Sequence, residues 1–125
     1  MTPSRPAALI VEDQPFVGLV ASDILRESGF DTFHAYDAKA AAAVLDEHPE
    51  IEVVVTEAEL PGDETGLELC RRVSQEHPNV QLVVTSAGRE FHASDLPQGA
   101  RTLRKPYASG ELKTLVAAKS LLLEA

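Results

Sequence analysis

The chain has 125 residues, enough for one domain with a proper core, and its 44% hydrophobic and 25% charged content is that of an ordinary globular protein. Net charge is −9: residues 1–100 hold 6 Lys/Arg against 18 Asp/Glu, and residues 101–125 hold 5 against 2. An acidic body argues against nucleic acid or an anionic membrane as the main partner, no run of about 18 apolar residues offers a membrane span, and one cysteine, Cys70, excludes an internal disulfide framework.

Residues 1–6 form a proline-containing lead-in, expected to be mobile and lacking the apolar core of a signal peptide. With a lone cysteine, this suits a cytoplasmic protein. Ala7 to Val11 is a short apolar run, predicted as the first strand, and it ends at two adjacent carboxylates, Glu12 and Asp13. Pro15 suits the first turn of a helix. Phe16, Leu19, Val20 and Ile24 follow at helical spacing to about Ser28, where Gly29 ends the helix. Phe30 to Tyr36 alternates as a second strand, and Asp37 is placed to cap an Ala-rich second helix ending at Val44 and Leu45.

The third strand, Val53 to Thr56, is a β-branched run without polar alternation, so it is predicted to be buried on both faces. It delivers Glu57, and Pro61-Gly62 turns the chain away. Glu47 to Thr56 is echoed by Glu76 to Thr85 at an offset of 29 residues. Each copy has a helix end, a proline stop and a buried strand, as expected of two successive strand–helix units of about 30 residues. His48 and His77 then fall at helix C-termini, where the helix dipole favours positive charge; no ligand partner recurs beside them for a metal.

Between the copies, Gly66 to Gln75 is a third helix, with Leu67, Cys70 and Val73 inward and Arg71, Arg72 and Gln75 outward. Cys70 is thus expected in the core. Val80 to Thr85 is the fourth strand and delivers Ser86. Residues 87–99 hold Gly88, Pro97 and Gly99, and predict only a short or irregular fourth helix near Arg89 to Ser94. Ala100 to Arg104 is the fifth strand and delivers Lys105-Pro106. Ser109 is placed to cap a last helix with Leu112, Leu115 and Val116 inward, continuing to Leu121-Leu122-Leu123.

Five strands alternating with helices imply an α/β fold: a doubly wound parallel sheet with helices on both faces. In the flavodoxin-like order 2-1-3-4-5, ligands collect at the switch point beside strands 1 and 3. Glu12, Asp13 and Glu57 then share one pocket, with Ser86 and Lys105 on its rim.

These residues, in this order, resemble the receiver domain of bacterial two-component response regulators over residues 7–123. The likeness rests on Leu9-Ile10-Val11-Glu12-Asp13, Leu60-Pro61-Gly62, Gly66-Leu67-Glu68-Leu69, Thr85-Ser86-Ala87 and Lys105-Pro106-Tyr107. In that family an acidic pair binds Mg²⁺, an aspartate after strand 3 accepts phosphate from a histidine kinase, a Thr or Ser senses the phosphoryl group and a lysine contacts it. The resemblance implies that Glu12 and Asp13 are the acidic pair, Ser86 the hydroxyl and Lys105 the lysine, with a cis Lys105-Pro106 bond.

Three departures stand out. The phospho-acceptor position holds Glu57, the aromatic switch position three before the lysine holds Thr102, and the segment from Ser86 to Lys105 is short. The extra methylene of glutamate displaces the nucleophilic oxygen by on the order of 1 Å, a shift that can cost about 100-fold in a positioned reaction. Glutamate also partly mimics an aspartyl phosphate, offering a charge of −1 where a phosphoryl group adds about −1.5 to −2. It could pair with Lys105 and accept from Ser86 without any phosphate. The expectation is a pseudo-receiver that acts through protein contacts in trans, with a histidine kinase or output protein as partner and a homodimer left open. Mg²⁺ on Glu12, Asp13 and Glu57 is left open too, although the longer side chains crowd octahedral geometry.

Two rivals stay open. One is a conventional phospho-receiver using Glu59, Asp63 or Asp13. The other is a small-ligand protein on the same topology, although no glycine-rich phosphate loop follows the first strand. An enzyme is not expected, since no histidine is placed beside Ser86.

Overall fold

The computed structural model describes residues 5–88 and 93–116. In chain order its elements are β1 (Ala7–Val11), α1 (Pro15–Glu27), β2 (Asp31–Ala35), α2 (Ala38–Glu47), β3 (Ile51–Glu57), α3 (Gly66–Glu76), β4 (Gln81–Ser86), a 3₁₀ turn (Ala93–Asp95), β5 (Arg101–Arg104) and α4 (Ser109–Leu115). The five strands form one parallel sheet in the order β2-β1-β3-β4-β5, as the sequence implies.

All five residues of β1 are buried, and β3 is buried except at Glu52. Parallel strands covered on both faces need such unbroken apolar runs. The alternation of each strand splits the interior into two cores. Leu9, Val54, Leu82 and Val84 pack under α2 and α3, with Ala41, Leu69 and Cys70. Ile10, Val55, Val83 and Leu103 pack under α1 and α4, with Leu25 and Leu112.

Helix starts follow local chemistry. Pro15 opens α1, and Gly29 at φ +99° lets the chain leave it. Asp37 Oδ1 accepts from the Ala40 N–H at 2.8 Å and caps α2. At α3, Thr65 and Glu68 close a reciprocal capping box, both bonds at 3.1 Å. His48 and His77 are the C-caps of α2 and α3, each near a carboxylate: His48 with Glu50 at 3.4 Å, His77 with Asp46 at 3.8 Å.

One expectation shifts, and two reach beyond the described residues. The cap of α4 is not Ser109 but Ala108, whose N–H donates to Glu111 Oε1 at 3.0 Å; Ser109 is the first helical residue. On α1, of the residues picked out by spacing, Phe16, Leu19 and Val20 are exposed and Ile24 is buried, together with Gly18, Ala21, Ser22 and Leu25. The reason is steric, because Gly18 lies so close to the His34 ring that an added Cβ would sit 2.6 Å from it. The irregular fourth helix is seen only as the turn Ala93–Asp95, since residues 89–92 lie outside the described residues. So does the predicted continuation of the last helix to Leu121–Leu123; within the described chain, Leu112 and Val116 are buried and Leu115 packs beside them.

Candidate functional site

The site grows out of the α1/α4 side of the sheet. Ile10, Val55, Val83 and Leu103 all point into that core. Side chains in strands alternate with period two. Two residues on from each stand Glu12, Glu57, Thr85 and Lys105, gathered at the carboxyl ends of β1, β3, β4 and β5. This is where an open α/β sheet collects its ligands.

Lys105 is the hub. Its Nζ donates to Glu12 Oε2 at 2.7 Å and also to Glu57 Oε2. The three side chains are largely withdrawn from solvent, with exposures of 17% for Lys105, 5% for Glu12 and 11% for Glu57. Thr85 Oγ1 lies 3.5 Å from Glu57 Oε2 and 3.4 Å from the Thr56 carbonyl oxygen. Glu12 Oε1 accepts from the Gln14 N–H at 3.3 Å. The Lys105-Pro106 peptide is cis.

Burial pushes the Glu12 carboxyl above its ordinary value, against the pull of the Lys105 hydrogen bond and charge. Burial presses Lys105 down, but its hydrogen bonds to Glu12 and Glu57, with their charges, outweigh this and hold the ammonium above its ordinary value. The lysine therefore stays charged at neutral pH.

The backbone around Glu57 is fixed from two sides. The Ala58 N–H donates to Thr85 O at 2.8 Å, and the Gly66 N–H donates to Ala58 O at 3.0 Å. A Cβ at Gly66 would fall 1.8 Å from the Glu57 carbonyl oxygen, so only glycine lets α3 start this close to the site. The Lys105 N–H donates to Ser86 O at 2.7 Å and ties β5 to β4.

The sequence-predicted residues divide. Glu12, Glu57 and Lys105 come together. Asp13 is exposed, and among the described residues its side chain has no hydrogen-bond or ion-pair partner. Ser86 is buried, and its Oγ accepts from the Gly88 N–H at 3.4 Å. It continues the Leu82 and Val84 line on the other face, so the hydroxyl beside Glu57 is Thr85, its register partner. Thr102 is exposed on the edge strand β5, opposite Val84. Besides Thr85, two contributors escaped the sequence reading. His34 Nε2 donates to the Glu12 carbonyl oxygen at 3.0 Å, and Gly18 makes room for that ring. Counting in twos from Val83, as Val55 leads to Glu57, is the signal that would have found Thr85. Nothing local in the sequence points to His34.

The residues present do not fit Mg²⁺. That ion demands near-ideal octahedral oxygen ligation and keeps several waters. Here a lysine ammonium lies between the two buried carboxylates, and the third acid is exposed. Among the described residues, no group of three or more His, Cys, Asp or Glu is placed to hold a metal.

Beside the site, Phe16, Val20, Ala87, Pro106 and Tyr107 line an apolar groove of about 440 Å³ with Lys105 at its edge. Phe16 is 77% exposed there. No helix among the described residues is long and apolar enough to cross a membrane.

Comparison with known proteins fits this geometry. No curated protein matches the chain. Among solved structures, a response regulator receiver protein from Sinorhizobium medicae is similar at 26% identity and a TM-score of 0.82, over 96% of this chain and 95% of that one. One from Pseudomonas putida matches at 26% identity and 0.78, over 91% and 97%. The receiver domain of NtrX from Brucella abortus matches at 25% identity and 0.72, over 94% of each. The family model described as "Response regulator receiver domain" covers residues 8–117. The chain therefore belongs to the response regulator receiver domain family, the receiver module of two-component signalling.

Proposed function

We propose that this receiver works without phosphorylation at Glu57 and signals from the cytoplasm by binding a partner protein in trans, a histidine kinase or an output protein. The observation that carries the reading is the bond from the Lys105 ammonium to the Glu57 carboxylate. Glu57 stands at the acceptor position and already holds the contact that the family's lysine makes to a phosphoryl group. Thr85 adds a hydroxyl to the same oxygen, so a lysine and a hydroxyl converge on it without phosphate. In-line transfer rests on position and charge neutralisation. Here the oxygen is displaced by a methylene and engaged by the lysine.

The exposed face of α1 supports partner binding. Phe16 and Val20, 77% and 44% exposed, line the apolar groove, and Leu19 on the same helix is 53% exposed. Exposed apolar side chains that cluster mark interaction surfaces.

Intact mass after incubation with acetyl phosphate and Mg²⁺ tests the reading, with Glu57→Asp alongside. The expected result is no added phosphate on the wild type and one on the variant. A phosphate on the wild type overturns the reading, and mapping it to Glu59, Asp63 or Asp13 installs the conventional receiver in its place.

A further inference from the structure

We propose that the Lys105 side chain is a built-in replacement for the divalent cation in this pocket, so that the protein does not take up Mg²⁺ at Glu12 and Glu57. The inference uses the same pocket as the proposed function but concerns the bare protein, with no phosphodonor.

Three observations carry it. First, one ammonium reaches both carboxylates that a pocket ion would need, at 2.7 Å from Glu12 Oε2 and in direct contact with Glu57 Oε2. Second, these side chains are buried enough that water screens them little, so a dication entering beside Lys105 meets a like charge at close range. Third, the remaining acid does not compensate, since Asp13 is exposed and, among the described residues, stands apart from the Lys105 cluster. Glutamate at both inner positions completes the arrangement: each longer arm reaches the lysine, and both arms use their Oε2 oxygen for it.

The lysine is thus what keeps metal out. Removing it leaves two buried carboxylates without a counter-ion, and a small dication answers that charge. Lys105→Met keeps the length of the chain and deletes the charge. Lys105→Arg keeps the charge.

Thermal unfolding with 0 to about 10 mM MgCl₂ at constant ionic strength tests this on the full chain. The wild type and Lys105→Arg are expected to show no shift in Tm. Lys105→Met is expected to start lower and to gain about 4 °C at about 10 mM, the linkage expected of a site near 1 mM Kd in a domain of this size. A wild-type rise of that size that Glu57→Gln abolishes overturns the proposal. So does a Lys105→Met protein that folds and responds no more than the wild type. If Lys105→Met does not fold, Lys105→Gln takes its place, and the wild-type titration decides by itself: no shift supports the proposal, and a Glu57-dependent shift ends it. Phosphate gain by the wild type, by contrast, would sink the proposed function and leave this result standing.

Discussion

At the scale of single residues, one ammonium is shared by two carboxylates. Deleting one partner of a buried charge pair typically costs about 3–5 kcal/mol, because the other is left uncompensated. Lys105→Met is therefore expected to lose stability of that order in a urea titration at pH 7 without added metal. The pH dependence has a definite sign. The folded value of Lys105 lies above its ordinary 10.5, so its contribution is fully present below that pH and disappears as pH rises through the raised value. Urea midpoints collected from pH 8 upward should fall for the wild type across that alkaline window, and the difference from Lys105→Met should close there. A gap that stays constant across the window would refute the linkage. Glu12 has the same sign in an acid window: its folded value is also raised, so its contribution declines as pH rises above about 4.5.

The same scale shows what the sequence could and could not disclose. Glu12, Glu57 and Lys105 were legible because each ends an apolar run, and a strand end is a position that periodicity can fix. The hydroxyl was displaced by one residue, because Thr85 and Ser86 both carry one and only the parallel register says which shares a face with Glu57. His34 was invisible, as its bond to the Glu12 carbonyl oxygen joins residues 22 apart in sequence.

At the scale of elements, α1 separates spacing from packing. Phe16, Leu19 and Val20 have helical spacing, yet they face outward, while Leu25 is fully buried. The sheet approaches α1 along Gly18, Ala21 and Ser22, whose small side chains admit it; Ser22 Oγ meets Thr32 Oγ1 at 2.7 Å. The spacing of Phe16, Leu19, Val20 and Ile24 located the helix, and of these only Ile24 lies on its buried face. Phe16→Ser should change stability by no more than about 0.5 kcal/mol, as at most surface sites, and weaken partner capture. Leu25→Ala should cost about 2–5 kcal/mol. Paired urea unfolding and pull-down experiments check both; a large stability loss for Phe16→Ser would place that face inside the fold. The strands were more legible, because a parallel sheet covered on both faces admits little besides β-branched and aliphatic residues.

At the scale of the molecule, the single cysteine reports on the opening of the fold. Cys70 is fully buried on α3, and burial pushes its thiol up to about 12. A thiolate is the reactive form, so this sulfur is silent in the native state. It is also the only thiol in the chain. Modification by a disulfide reagent at pH 8 should be slow without denaturant, accelerate with urea and give a single adduct. Rapid native labelling would contradict the burial. With opening and closing fast against chemistry, the labelling rate reports the fraction of molecules in which the α2/α3 side has come apart. The chain thus carries its own stopwatch: one sulfur atom, with no fluorophore or tag, times the opening of one side of the sheet. The same measurement with and without a bound partner would read how far an interface on α1 steadies the opposite layer.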